Sequence, residues 1–187
     1  MKLLLSRDDV KPNEPDDNGR TPLWYASLSG NEGVVRLLLA RDDVHPDKPS
    51  NDGDTPLVVA SSHRHEGVVR RLLAGDHFNP SQPDKSGQRP LWWACFNGDE
   101  EMVRQLLAKD NVNADESDGC RPAPPRQASL RGHEGAVKLL LARNDVNPDK
   151  PGTEGRTPLS QVCMIGHEVM VRLLLGSDDV NPDRPDD

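Results

Sequence analysis

The sequence predicts an all-α repeat solenoid, a stack of short helix–turn–helix units joined by extended hairpin arms. A step of 34 residues takes Thr21-Pro22-Leu23 to Thr55-Pro56-Leu57, Arg89-Pro90-Leu91, Ala123-Pro124-Pro125 and Thr157-Pro158-Leu159, and the middle proline is kept every time. The same step takes Glu32 to Glu66, Glu100, Glu134 and Glu168, and Leu38-Leu39 to Leu72-Leu73, Leu106-Leu107, Leu140-Leu141 and Leu174-Leu175. Val35 likewise gives Val69, Val103, Val137 and Val171, with no insertion or deletion anywhere. Self-similarity at a fixed period is the signature of stacked units. Composition agrees, because 34% apolar and 29% charged residues are polar for a deep core but suit a stack whose units touch only their neighbours.

Each element of a unit has a local cause. Thr21 is a good N-cap. Pro22 then falls at the first helical position, where its missing N–H costs little. Gly30 stops the first helix, and Asn31 is placed to cap a second. That second helix carries Val34, Val35, Leu38 and Leu39, the stripe of a helix with one buried face. The proline, Asn, Asp and Gly content from Val44 to Gly53 marks an extended arm and turn. The expected units are residues 19–52, 53–86, 87–120, 121–154 and 155–187, the last truncated in its arm, after a partial unit over 1–18.

The segments Gly19-Arg20-Thr21-Pro22-Leu23-x-x-Ala26 and Gly30-Asn31-Glu32-Gly33-Val34-Val35-Arg36-Leu37-Leu38-Leu39 resemble the ankyrin repeat family. Gly132-His133-Glu134 and Gly166-His167-Glu168 add to a resemblance that covers essentially the whole chain. Two departures stand out. The period is 34 against the family's usual ~33. The glycine that usually ends the second helix is replaced by Arg-Asp-Asp, as at Arg41-Asp42-Asp43, and the arm is longer. This Asn-Pro-Asp-Lys-Pro style resembles arrays found in large fungal multidomain proteins.

The resemblance implies a scaffold or recognition module for protein partners rather than an enzyme, with no cofactor. It implies docking on the concave side made by the hairpin tips and the first-helix ends. The matching tip residues are Arg20, Asp54, Gln88 and Arg156. The matching helix-end pairs are Leu28 and Ser29, Ser62 and His63, Phe96 and Asn97, Leu130 and Arg131, and Met164 and Ile165. These positions vary while the framework repeats, and they are apolar for a site beside an exposed turn. The aromatics Trp24, Tyr25, Trp92, Trp93 and Phe96 cluster in two first helices. Tyr25 and Trp93 are expected to fill the stack, and Trp24, Trp92 and Phe96 to be interface anchors. A different reading is a regulatory or sensor fragment of a larger fungal multidomain protein whose catalytic or nucleotide-binding part lies outside this chain.

Several chemistries lose support. A net charge of −8 disfavours nucleic acid. Three cysteines, Cys95, Cys120 and Cys163, with no C-x-x-C spacing, argue against a disulfide framework or zinc site. Cys95 and Cys163 align with Ser27, Ser61 and Ser129 at a small-residue helix contact and are expected to be buried, Cys120 exposed. His65, His133 and His167 share one repeat position. Neighbouring helices lie ~8–10 Å apart and zinc ligands ~2 Å from the ion, so capping is the expected role. The acidic turns Asp16-Asp17-Asn18-Gly19 and Asn51-Asp52-Gly53-Asp54 lack the calcium-loop spacing. The Pro-x-x-Pro pairs Pro12/Pro15, Pro46/Pro49, Pro80/Pro83, Pro148/Pro151 and Pro182/Pro185 recur with the period, which favours a structural role in the arm over recognition by proline-reading domains. Leu3-Leu4-Leu5 is too short for a signal peptide or membrane span, so a cytoplasmic location is expected, with the nucleus as the alternative.

Repeat four departs most. Arg121, Ala123 and Pro125 replace the turn glycine, the cap and the core leucine, which predicts a hinge or frayed joint near residues 117–128. Met1 falls at the register of Val35 and Asp187 at that of Asn51. The expectation is a fragment of a longer array or a product descended from one, with end-to-end self-association through uncapped terminal repeats.

Overall fold

The computed structural model describes residues 11–75, 78–116, 122–152 and 155–184. Among them lie ten helices: α1 (Pro22–Leu28), α2 (Glu32–Leu39), α3 (Pro56–Ser62), α4 (Glu66–Leu73), α5 (Pro90–Asn97), α6 (Glu100–Leu107), α7 (Pro124–Arg131), α8 (Glu134–Leu141), α9 (Pro158–Met164) and α10 (Glu168–Leu175). No strand occurs among the described residues. Contacts divide the chain into two compact units, Met1–Pro90 and Leu91–Asp187. In the first, α1 packs on α2 and α3 on α4, while α1 lies against α3 and α2 against α4. In the second, α7 packs on α8 and α9 on α10, with α7 against α9, α6 against α8 and α8 against α10. Helix pairs lie side by side in chain order within each unit, as the all-α repeat reading requires.

The first helices start where the Thr-Pro pair places them. The hydroxyls of Thr21, Thr55 and Thr157 accept from the amides of Trp24, Val58 and Ser160 at 3.2, 3.1 and 3.1 Å. Ala123 offers no such oxygen, yet α7 forms. Pro124 and Pro125 preset φ for its first turn and are buried, and Ser129 Oγ donates to the Pro125 carbonyl at 2.8 Å. Of the joint expected to fray, residues 117–121 lie outside the described residues. From Pro124 onward the chain is a regular buried helix. Gly30, Gly98, Gly132 and Gly166 end first helices with positive φ, whereas Arg64 takes a φ of 61° at the same register.

The second helices are capped differently from the expectation. Only Asp99 accepts from its own helix, from the Met102 amide at 3.0 Å. Asn31, His65, His133 and His167 hold the N-cap position without a side-chain cap bond. Two of these histidines reach back to the preceding repeat. His65 Nε2–H donates to the Leu28 carbonyl at 2.9 Å, and His133 Nε2–H to the Phe96 carbonyl at 3.2 Å. The rings lie over Gly30 and Gly98, where a Cβ would fall 2.6 and 2.4 Å from Nδ1. Glycine there serves both the left-handed turn and the close approach.

The core takes part of the predicted stripe: Leu39, Leu107, Leu141 and Val171 are half-buried and Leu175 is exposed. Val35 and Leu38, Val69 and Leu72, Val103 and Leu106, Val137 and Leu140, and Met170 and Leu174 are buried. Burying such a side chain stabilises by ~1.5–3 kcal/mol. Cys95 is fully buried, which pushes its thiol up from the usual range. Cys163 is exposed, contrary to expectation. Its equivalents Ser27, Ser61, Cys95 and Ser129 are at most 1% exposed. Cys120 lies outside the described residues.

The arms are braced by their own side chains. Arg41 grips Asp43 through Nε and Nη2 at 2.8 and 2.9 Å, and Arg143 grips Asp145 at 2.7 Å twice. These pairs hold both aspartates below the usual carboxylate range. Asp47, Asp115 and Asp149 accept from the amides of Asn79, Asn147 and Asn181 in the next arm, each at 2.8 Å. Burial raises Asp47 and Asp115. Pro12, Pro80 and Pro148 are buried, so the first proline of these pairs belongs to the packing. Pro185 lies outside the described residues.

Candidate functional site

Each described tip is a five-residue loop closed by two backbone bonds. Asp16 N donates to Arg20 O and Gly19 N to Asp16 O, at 3.0 and 2.9 Å. The loops at 50–54, 84–88 and 152–156 repeat this pattern. The Asp16 carboxylate accepts from the amides of Asn18 and Arg20 and from the Tyr25 hydroxyl, the last at 2.7 Å. Those bonds, the Tyr25 hydroxyl first, hold Asp16 below its usual range. Successive tips join in the first unit: Asn51 N donates to Asn18 O at 2.8 Å and Lys85 N to Asp52 O at 3.2 Å.

In the first unit the structure gathers Arg20, Asp54 and His63. Asp54 is half-buried, and burial raises its carboxyl, reinforced by Asp84 and Asp52 and opposed by Arg20 and His63. The Arg20 guanidinium lies over the Trp24 ring at 4.8 Å. His63 and Ser29 are exposed and Leu28 is half-buried. The Ser62 hydroxyl donates to the Val59 carbonyl at 2.9 Å, and the His63 ring stacks on His65 with centroids 6.1 Å apart.

In the second unit Phe96 is the centre of a cluster. It stacks on Trp92 at 5.0 Å and meets Trp93 edge-on at 5.7 Å. The exposed Arg131 lays its guanidinium over the Phe96 ring at 3.7 Å, a contact that favours an aromatic face. Asn97, Leu130 and Arg156 are half-buried. Met164 and Ile165 are 63% and 52% exposed.

Two expectations about exposure are corrected. Trp24 and Trp92 are 5% and 8% exposed, whereas Tyr25 is 42% exposed. The indoles turn into the stack beneath Arg20 and Phe96, and the phenol turns out because its hydroxyl is held by Asp16. Gln88 is buried at 7% although it closes a tip. Its backbone, not its side chain, makes the turn, with its amide donating to Asp84 Oδ1 at 2.8 Å.

Some residues were invisible to spacing alone. Glu32 reaches over Gly67 to pair with Arg71 at 3.1 Å. Arg126 is 7% exposed and donates through Nε to Gln161 Oε1 at 2.8 Å. Val169 and Leu175, also in repeat five, are 50% and 52% exposed. Among the described residues no three His, Cys, Asp or Glu side chains come together as a metal site would need. Among them, too, no helix is long and apolar enough to cross a membrane.

Stacked two-helix units with capped Thr-Pro starts and paired hairpin tips define a helical repeat protein. A family model described as Ankyrin repeats (3 copies) matches residues 41–118, and one described as Ankyrin repeat matches residues 18–51 and 154–187. The chain belongs to the ankyrin repeat family, whose repeats are in general protein–protein interaction modules and typically non-catalytic scaffolds. No curated protein matches the chain.

Proposed function

We propose that the chain holds a partner protein on its hairpin tips and first-helix ends. The observation that supports this most is where variation and apolar exposure coincide. The framework side chains repeat every 34 residues, while the helix-end position reads Ser29, His63, Asn97, Arg131 and Ile165. In repeat five that position and its neighbour Met164 are exposed apolar side chains, the kind of surface that a partner covers. Leu28, Phe96 and Leu130 share the register of Met164, and the tip residues Arg20, Asp54 and Arg156 share a second. Trp24 and Trp92 act from beneath, holding Arg20 and Phe96 in place. Gln88 supports its tip from within.

The test is a pair of variants read against one captured partner. Met164→Asp with Ile165→Asp should weaken binding at least ~10-fold, since buried anchors carry ~2 kcal/mol or more. Arg36→Glu, on the exposed side of α2, should leave it unchanged. Equal loss in both, or loss in neither, overturns the assignment.

A further inference from the structure

The repeats serve as controls for one another, and one joint lacks a side chain that its counterpart has. After α8, Arg143 reaches to the preceding repeat. Its Nη1 donates to the carbonyl of Leu107, the last residue of α6, at 2.7 Å, while Nε and Nη2 grip Asp145. The guanidinium therefore stoppers the C-terminal end of a second helix, where carbonyls lack helical partners. In the same register repeat two has Gly75 and repeat one has Leu39. The position of Val44, Val112, Val146 and Val180, all at most 8% exposed, is Phe78, which is half-buried.

A cavity of about 610 Å³ lies at the joint of repeats one and two, with Gly75 and Phe78 among its lining residues. That volume lies within the ~300–1,000 Å³ usual for small-ligand sites. It is lined by the apolar residues Leu39, Val44, Ala74 and Phe78 and by the polar residues Asp42 and His45. Among the described residues no hydrogen bond reaches the Leu39 carbonyl. That carbonyl ends α2, where the helix dipole favours a cation. Arg41 and Arg71 also line the cavity, but each is held by a carboxylate, Asp43 and Glu32.

We infer that this cavity binds a guanidinium group, such as an arginine side chain offered by a peptide, in the place that Arg143 fills in repeat four. The group donates to the Leu39 carbonyl, faces the Asp42 carboxylate and lays its plane on the Phe78 ring. The chain already shows each kind of contact, in Arg143 on Leu107 and in Arg131 on Phe96. Guanidinium supplies several donors in one plane together with a face that stacks on aromatics. A primary ammonium has no such plane. The site is separate from the tip and helix-end surface, and its test does not depend on any partner there.

The test titrates the 187-residue chain with N-acetyl-arginine amide and follows the amide resonances of Asp42, Ala74 and Gly75 by NMR. Saturable shifts are expected. The uncharged citrulline analogue should bind at least ~5-fold more weakly, because a charge-assisted bond is about twice as strong as a neutral one. Gly75 has no positive φ, and a Cβ there meets Phe78 Cε2 at 3.3 Å, so a side chain requires only that the Phe78 ring yield by a few tenths of an ångström. Gly75→Arg should fill the cavity from within, reduce probe binding at least ~10-fold and raise Tm, as an added hydrogen bond to a charged group would. Gly75→Ala should bind within ~2-fold of the original, because it adds no donor. Absence of saturable shifts, equal binding of citrulline, or wild-type binding by folded Gly75→Arg each overturns the inference. Should Gly75→Arg fail to fold, Asp42→Asn decides, and undiminished binding by it overturns the inference.

Discussion

Helices α5 and α7 occupy the same register one repeat apart, yet they fill it with opposite chemistry. In α5, Trp92 and Trp93 meet edge-on at 5.1 Å and Phe96 stacks on Trp92. In α7 the same two slots hold Arg126 and Gln127, both buried. The guanidinium is accommodated because Gln161, from the next first helix, accepts its Nε–H. Space comes from Gly152, where a Cβ would fall 2.0 Å from Arg126 Nη1. The corresponding tip residues elsewhere in the sequence are Asp16, Ser50, Asp84 and Asp118. The slot therefore accepts a buried polar side chain in α7, where a partner is supplied, as well as an aromatic ring in α5. A buried polar group is tolerated once its hydrogen bonds are made.

Four substitutions, two of them combined, break or sharpen that contrast. Trp92→Ala should cost the most, ~3–5 kcal/mol in denaturant unfolding, because it empties an aromatic slot and strips support from Phe96. An effect under about 1 kcal/mol would show that the ring is dispensable to the stack. Gln161→Leu should cost ~1–3 kcal/mol, since it removes an acceptor from buried Arg126. Adding Arg126→Met to it should recover most of that loss, as apolar replacement of a buried polar pair is often neutral. An additive double variant would mean that the two side chains act independently. The smallest effect is Ala123→Thr, which restores the missing cap and should stabilise by ~1 kcal/mol. It should also slow amide exchange at Gln127 and Ala128 relative to α8, and unchanged exchange there would remove the cap from any account of repeat four.

Much of the fold was legible because it rests on local chemistry repeated in phase. Thr-Pro starts, glycine stops and the Val/Leu stripe each act within a few residues, so a 34-residue step exposes them directly. The site was less legible. Helix-end residues could be aligned, but not their exposure. Trp24 and Tyr25 are adjacent, and which ring turns outward depends on Asp16, nine residues earlier, accepting the phenol. His65 was placed correctly at an N-cap position, but its ring serves Leu28, 37 residues away.

By itself the sequence determined the period, the helices, the buried stripe and hence the family, because backbone capping and hydrophobic periodicity act over short distances. Tertiary structure alone decided which side chains cross from one repeat to the next: His65 onto Leu28, Arg126 onto Gln161, Arg143 onto Leu107. It also decided where such a crossing is lacking, at Gly75. Those contacts join residues about one repeat apart, and their partners are set by how helix pairs stack, which is a property of packed surfaces and not of local propensity.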